Sequence, residues 1–118
     1  LYQLISDLDE RGMLDDTMVI AMGEFGRTPW LNEARGRDHY PNAWSLAMAG
    51  GGIRGGVVYG ATDTLGVEVS ENRIDQRSLF STIFTALGID PHHEYDLPGL
   101  PTFHRVEGKI EPIKELLV

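Results

Sequence analysis

The sequence predicts an α/β protein built on a largely parallel sheet, and three observations lead there. Residues 17–22 (TMVIAM) form an unbroken apolar run that does not alternate in polarity, the pattern of a strand covered on both faces. The run passes directly into Gly23-Glu24-Phe25-Gly26-Arg27, and open α/β sheets place ligands beyond the carboxyl ends of their strands. Further on, Leu79, Phe80, Ile83, Phe84 and Leu87 recur at helical spacing, giving a helix with one apolar face to lay across a sheet.

Each element follows from its residues. Residues 1–11 read as a helix, with Leu1, Leu4, Ile5 and Leu8 on one stripe and Gly12 as its stop. Asp15 and Asp16 turn the chain into the strand 17–22. Residues 23–41 are the longest irregular stretch, and loops of this length in compact domains are often functional; Trp30 and Leu31 are expected to tuck beneath it as anchors. A second strand is expected at 44–49 (WSLAMA). The run GGGIRGG at 50–56 lacks the Lys-Ser or Lys-Thr of a phosphate-cradling loop, so it reads as tight backbone packing at a strand end. A short strand at 57–60, a turn at 61–66 and an edge strand at 67–69 follow. Asp75 is a suitable N-cap for the helix that ends at Gly88. The remainder reads as a polar tail of turns, with a last half-turn near 114–118.

With 118 residues the chain is long enough for one domain. It opens inside the first helical pattern, without Met or a leader. Residues 1–118 are therefore expected to be a single domain piece, the carboxy-terminal part of a longer protein. A short domain with its first residues removed is the other reading. The net charge of −8 argues against nucleic acid as a partner. No apolar run approaches the ~20 residues of a membrane span, and the absence of cysteine leaves no disulfide framework or thiolate metal site. A sheet lacking neighbouring strands would expose an apolar edge, so association through that edge is expected.

The candidate chemistry lies between Glu24 and His39. A carboxylate at a strand end can ligate a metal or act as a base, or it can pair with Arg27. Asp38 and His39 diverge as neighbours, so one can ligate while the other supports it, or both belong to a solvated turn. Arg27 and Arg37 offer planar forks suited to phosphate, sulfate or carboxylate, or they pair internally with Glu24, Glu33 and Asp38. His92, His93 and His104 lie in the tail without zinc-like spacing, and there is no Gly-x-Ser-x-Gly nucleophile.

The stretch GEFGRTPWLNEARGRDHYPNAWSLAMAGGGIRGGVVYGATDTLG, with the later IDQRSLFSTIFTALGIDP, closely resembles the bacterial family catalogued as domain of unknown function 1501 (DUF1501). The resemblance runs over nearly the whole chain. It implies a place among sulfatase-like and alkaline-phosphatase-like hydrolases, and so the carboxy-terminal part of an alkaline-phosphatase-like three-layer fold. It implies one or two divalent metal ions (Zn, Mn or Ca), with Glu24, Asp38 and His39 as ligand candidates and Arg27 and Arg37 as contacts to a small anionic ester. Glu24 stands where the superfamily's Asp of an Asp-His ligand pair would be, and Phe25 stands in place of the His. The nucleophile is expected upstream, so that this stretch alone is not an efficient catalyst. The family's frequent twin-arginine leader implies an exported or cell-envelope location. The expected function is hydrolysis of phosphate or sulfate esters; a non-catalytic binding or scaffold protein on the same fold is the alternative.

Overall fold

A computed structural model describes all 118 residues. Its elements are helix α1 (Tyr2–Glu10), strands β1 (Val19–Met22), β2 (Gly26–Arg27), β3 (His39–Tyr40), β4 (Leu46–Ala49), β5 (Ala61–Thr62) and β6 (Val69–Glu71), helix α2 (Gln76–Ala86), and strands β7 (Glu94–Tyr95) and β8 (Phe103–His104). Short 3-10 turns occupy Leu14–Asp16 and Lys114–Leu116.

The parallel three-layer fold is not what forms. The strands make four separate two-stranded sheets, β1-β4, β2-β3, β5-β6 and β7-β8, and every pair is antiparallel. The physical reason lies in the connections. A parallel pair needs a crossover, commonly a helix, and the stretch between β1 and β4 contains none; it folds back as a hairpin-like excursion carrying β2 and β3. β1 is accordingly not covered on both faces: Val19, Ile20 and Ala21 are half-buried and Met22 is exposed.

α1 forms as its periodicity predicts, yet none of its residues is buried. α2 also forms, capped by the Asp75 carboxylate accepting from the Ser78 N–H. It does not lie across a sheet. Its fully enclosed side chains are Ser81 and Thr82, and these hold the following chain: Ser81 Oγ donates to the Ile110 carbonyl at 2.7 Å, and Thr82 Oγ1 accepts from the Ile113 N–H at 2.9 Å. Phe80 and Leu87, on the stripe expected to be inside, are about half exposed.

The triple glycine packs tightly, as its composition predicts. A Cβ on Gly51 would stand 2.8 Å from Met18, and one on Gly52 2.6 Å from the Ala86 carbonyl oxygen, both at positive φ. These residues therefore seat the end of β4 on the start of β1 and on the end of α2. The neighbouring Ile53 bridges Leu117 in antiparallel fashion.

Several smaller expectations are corrected. Residues 57–60 form no strand, and Val58 is exposed. The edge strand falls at β6, two residues later than the alternation of 67–69 suggests, because Asp63 organises the preceding turn by accepting from the Val67 N–H through Oδ1. The tail contains the hairpin β7-β8 rather than turns alone. Trp30 meets Tyr40 edge-on, with ring centres 5.5 Å apart, but neither it nor Leu31 is buried.

Candidate functional site

The site is the excursion between β1 and β4, and its geometry starts from one glycine. A Cβ on Gly26 would collide with the Ala43 carbonyl oxygen and crowd that of Tyr40. Only glycine lets residues 40–43 cross β2 so closely. The β2-β3 ladder that results pairs Gly26 with Tyr40 and Arg27 with His39. It converts the irregular stretch into a closed loop, residues 28–38, whose two ends meet.

Thr28 is the hub of that closure and is buried. Its N–H donates to the Asp38 carbonyl at 3.1 Å. Its hydroxyl donates to the Trp30 carbonyl at 2.9 Å and accepts from the Asp38 N–H at 3.1 Å. Asn32 braces the tip: its Oδ1 accepts from the Gly36 N–H at 2.9 Å, and its Nδ2 donates to Asp38 Oδ1 at 2.8 Å. Arg35 turns the tip at φ +58.

Both candidate arginines are fixed to this loop by carbonyls. Arg27 Nη1 donates to the Arg37 carbonyl at 3.1 Å, and Arg37 Nη1 donates to the Thr28 carbonyl at 2.6 Å. The internal ion pairs that the sequence leaves open do not form. The ion pairs of the chain are Arg11–Asp7 and Arg77–Asp75. Each of these exposed guanidinium groups thus has one carbonyl contact and no carboxylate at ion-pair distance, and Nε and Nη2 of each remain available as donors.

Glu24, Asp38 and His39 are all exposed. Glu24 and the His39 imidazole make no hydrogen bond or ion pair, whereas Asp38 is engaged by Asn32. The Phe25 ring lies against the His39 ring at 3.7 Å between centres, with 28° between planes. The Arg27 guanidinium stands 5.3 Å from the Phe25 ring centre. In the sequence Phe25 reads as the absence of a ligand, and only its apolar character points to packing. Nothing in the position of Thr28 before Pro29 marks it as a hub.

No group of three or more His, Asp or Glu side chains comes together. Glu24, Asp38 and His39 by themselves do not make a closed ligand set. The tail histidines are dispersed too. His93 meets Tyr95 edge-on at 4.6 Å, His104 Nδ1 faces Glu94 at 3.5 Å, and His92 Nδ1 is buried without a partner. No helix is long and apolar enough to cross a membrane.

No curated protein and no solved structure matches the chain. The profile of one family, described as protein of unknown function (DUF1501), matches residues 1–117. The loop motif and its surroundings therefore sit in a chain that belongs to the DUF1501 family.

Proposed function

We propose that this chain supplies the anion-binding side of a hydrolase of phosphate or sulfate esters, as the carboxy-terminal part of a larger sulfatase-like catalytic unit. The observation that supports this reading is the pair Arg27 and Arg37, held at one loop throat by carbonyls and left without carboxylate partners. Planar guanidinium forks recognise tetrahedral oxyanions through paired N–H donors, and they offset charge that develops on the oxyanion during transfer. In a chain of net charge −8, an unneutralised cationic pair is a local exception to the field around it.

Glu24 and His39 complete the proposal as unengaged polar groups of the same excursion. His39 offers an imidazole nitrogen as a ligand. Glu24 is a carboxylate offered to a divalent ion whose remaining ligands lie outside these residues. The nucleophile is assigned outside them as well. An exported location accompanies this reading through the family resemblance.

A second reading has its own support. The Phe25 ring covers one face of His39, which suits a module that binds an anionic group without acting on it. A turnover assay with aryl phosphate and aryl sulfate, with Mn²⁺, Zn²⁺ or Ca²⁺ added, separates the two when run on the longest polypeptide that contains this chain. Metal-dependent release of the aryl alcohol supports the hydrolase. A flat response with all three ions, alongside measurable binding of inorganic sulfate or phosphate, supports the binding module.

A further inference from the structure

The peptide bond between Asp90 and Pro91 is the one aspartyl-prolyl bond among the 6 prolines of the chain, and it lies in the loop from α2 to β7. Asp90 is exposed and Pro91 is buried. Asp90 Oδ1 accepts from the His92 N–H at 2.9 Å, which folds the carboxyl back alongside the bond between Asp90 and Pro91. The Asp90 carbonyl oxygen accepts from Arg105 Nη1 at 2.5 Å. Arg105 is itself fixed: its Nη2 donates to the Tyr95 hydroxyl, and its guanidinium stands 5.8 Å and 5.4 Å from the ring centres of Phe84 and Tyr95. It makes no ion pair with the Asp90 carboxyl or with any other.

Together these groups make up the parts of an acyl transfer on the backbone. A carboxyl can serve as nucleophile, and a fixed guanidinium donor on the carbonyl oxygen stabilises the charge that develops there. Proline decides which reaction is open. It has no backbone N–H, so the following nitrogen cannot attack the aspartyl side chain and close an imide. That nitrogen can only leave, as a secondary amine. The leaving side is anchored to the segment that carries Arg105: the Pro91 carbonyl accepts from the Val106 N–H at 3.1 Å, and the His93 carbonyl from the Arg105 N–H at 3.0 Å.

We propose that the chain cleaves itself between Asp90 and Pro91. An oxygen of the protonated Asp90 side-chain carboxyl forms a bond to the Asp90 carbonyl carbon, and the bond from that carbon to the Pro91 nitrogen breaks. The electron pair of the broken bond stays on nitrogen, which takes up the carboxyl proton. The cyclic anhydride left on Asp90 adds one water, which the exposed position admits, and opens to the free side-chain and main-chain carboxyls. The sum is hydrolysis of one amide. The two parts stay together, because bonds from Ser81 to Ile110, from Ile113 to Thr82 and from Val118 to Gly52 span the break. This activity does not depend on the hydrolase reading.

Incubation of the longest polypeptide that contains this chain in one mildly acidic buffer, folded and in urea, tests it, with mass spectrometry reading the new amino terminus at Pro91. The rate in urea is the background of an unstructured aspartyl-prolyl bond. The folded rate is expected to exceed it by about tenfold or more, and Arg105→Gln should remove that gain. Hydroxylamine should trap the anhydride as a hydroxamate on Asp90. Asp90→Asn, which keeps an acceptor for the His92 N–H, should abolish cleavage. A folded rate at or below the rate in urea, a folded Arg105→Gln that cleaves as fast as the unaltered chain, or continued cleavage of Asp90→Asn would overturn the proposal. If Arg105→Gln does not fold, the ratio of folded to urea rates in the unaltered chain still decides.

Discussion

Phe25 and His39 stack face to face across the β2-β3 hairpin, 3.7 Å between ring centres. The contact ties the residue after Glu24 to the residue after Asp38, so the two ends of the candidate site move together. Phe25→Ala removes the stack, for which aromatic pairs contribute about 0.5–1.5 kcal/mol beyond area. The expected outcome is faster exchange of the Thr28 and Asp38 amides, with the α2 amides unchanged, measured by hydrogen exchange.

Gly26 is the position least able to accept a side chain. The oxygen that a Cβ would meet belongs to the Ala43 backbone, which cannot swing aside as a long side chain would. Gly26→Ala is expected to cost about 1–3 kcal/mol, the range for overpacking. The urea midpoint should fall accordingly without a change in slope. An unaltered midpoint would mean that residues 40–43 do not cross β2.

Thr82 is enclosed and bonded twice, donating to the Ser78 carbonyl at 2.7 Å and accepting from the Ile113 N–H. Thr82→Val keeps the shape and strands the Ile113 N–H in a buried place. The expected loss is about 1–3 kcal/mol, with chain beyond residue 105 released from α2 and cleaved by protease ahead of the rest. Thr82→Ser should retain most of the stability, since it keeps the hydroxyl.

Asp75 carries the acid dependence of α2. The Ser78 backbone N–H, then the Arg77 guanidinium and the Ser78 hydroxyl, lower its carboxyl to about 2. A depressed carboxyl stabilises the fold above its unfolded value of about 4, and that contribution is lost as pH falls from there through about 2. Asp75→Asn should keep the cap and flatten the dependence of the melting temperature over that window. Asp75→Ala should cost roughly 0.5–1 kcal/mol near neutrality, toward the low end for an N-cap because the group is exposed and screened.

The local rules read well from the residues, whereas the long-range arrangement did not. Asp75, the stripe through Leu87 and Gly88 specify α2 within one or two residues, because capping and periodicity act inside the helix. The triple glycine announced close packing for the same reason. Strand direction is another matter: TMVIAM is equally consistent with a buried parallel strand and with the half-open member of an antiparallel pair. The pairing is decided by residues that return from 24 to 30 positions away. Glu24, Arg27, Arg37, Asp38 and His39 fall on one excursion, as their closeness in sequence requires. That the arginines bond carbonyls instead of Glu24, Glu33 or Asp38 depends on how Thr28 closes the loop, and no spacing rule reports it.

The proposed anion site requires Arg27 and Arg37 to hold one tetrahedral anion together. A titration of the chain with inorganic sulfate and phosphate tests this most directly, following the guanidinium NMR signals of Arg27 and Arg37, with those of Arg54 and Arg73 as controls. The Nε–H signals of Arg27 and Arg37 are expected to move saturably with one shared affinity, while Arg54 and Arg73 move little. Signals of Arg27 and Arg37 that stay still, or that drift only in step with Arg54 and Arg73, would contradict it.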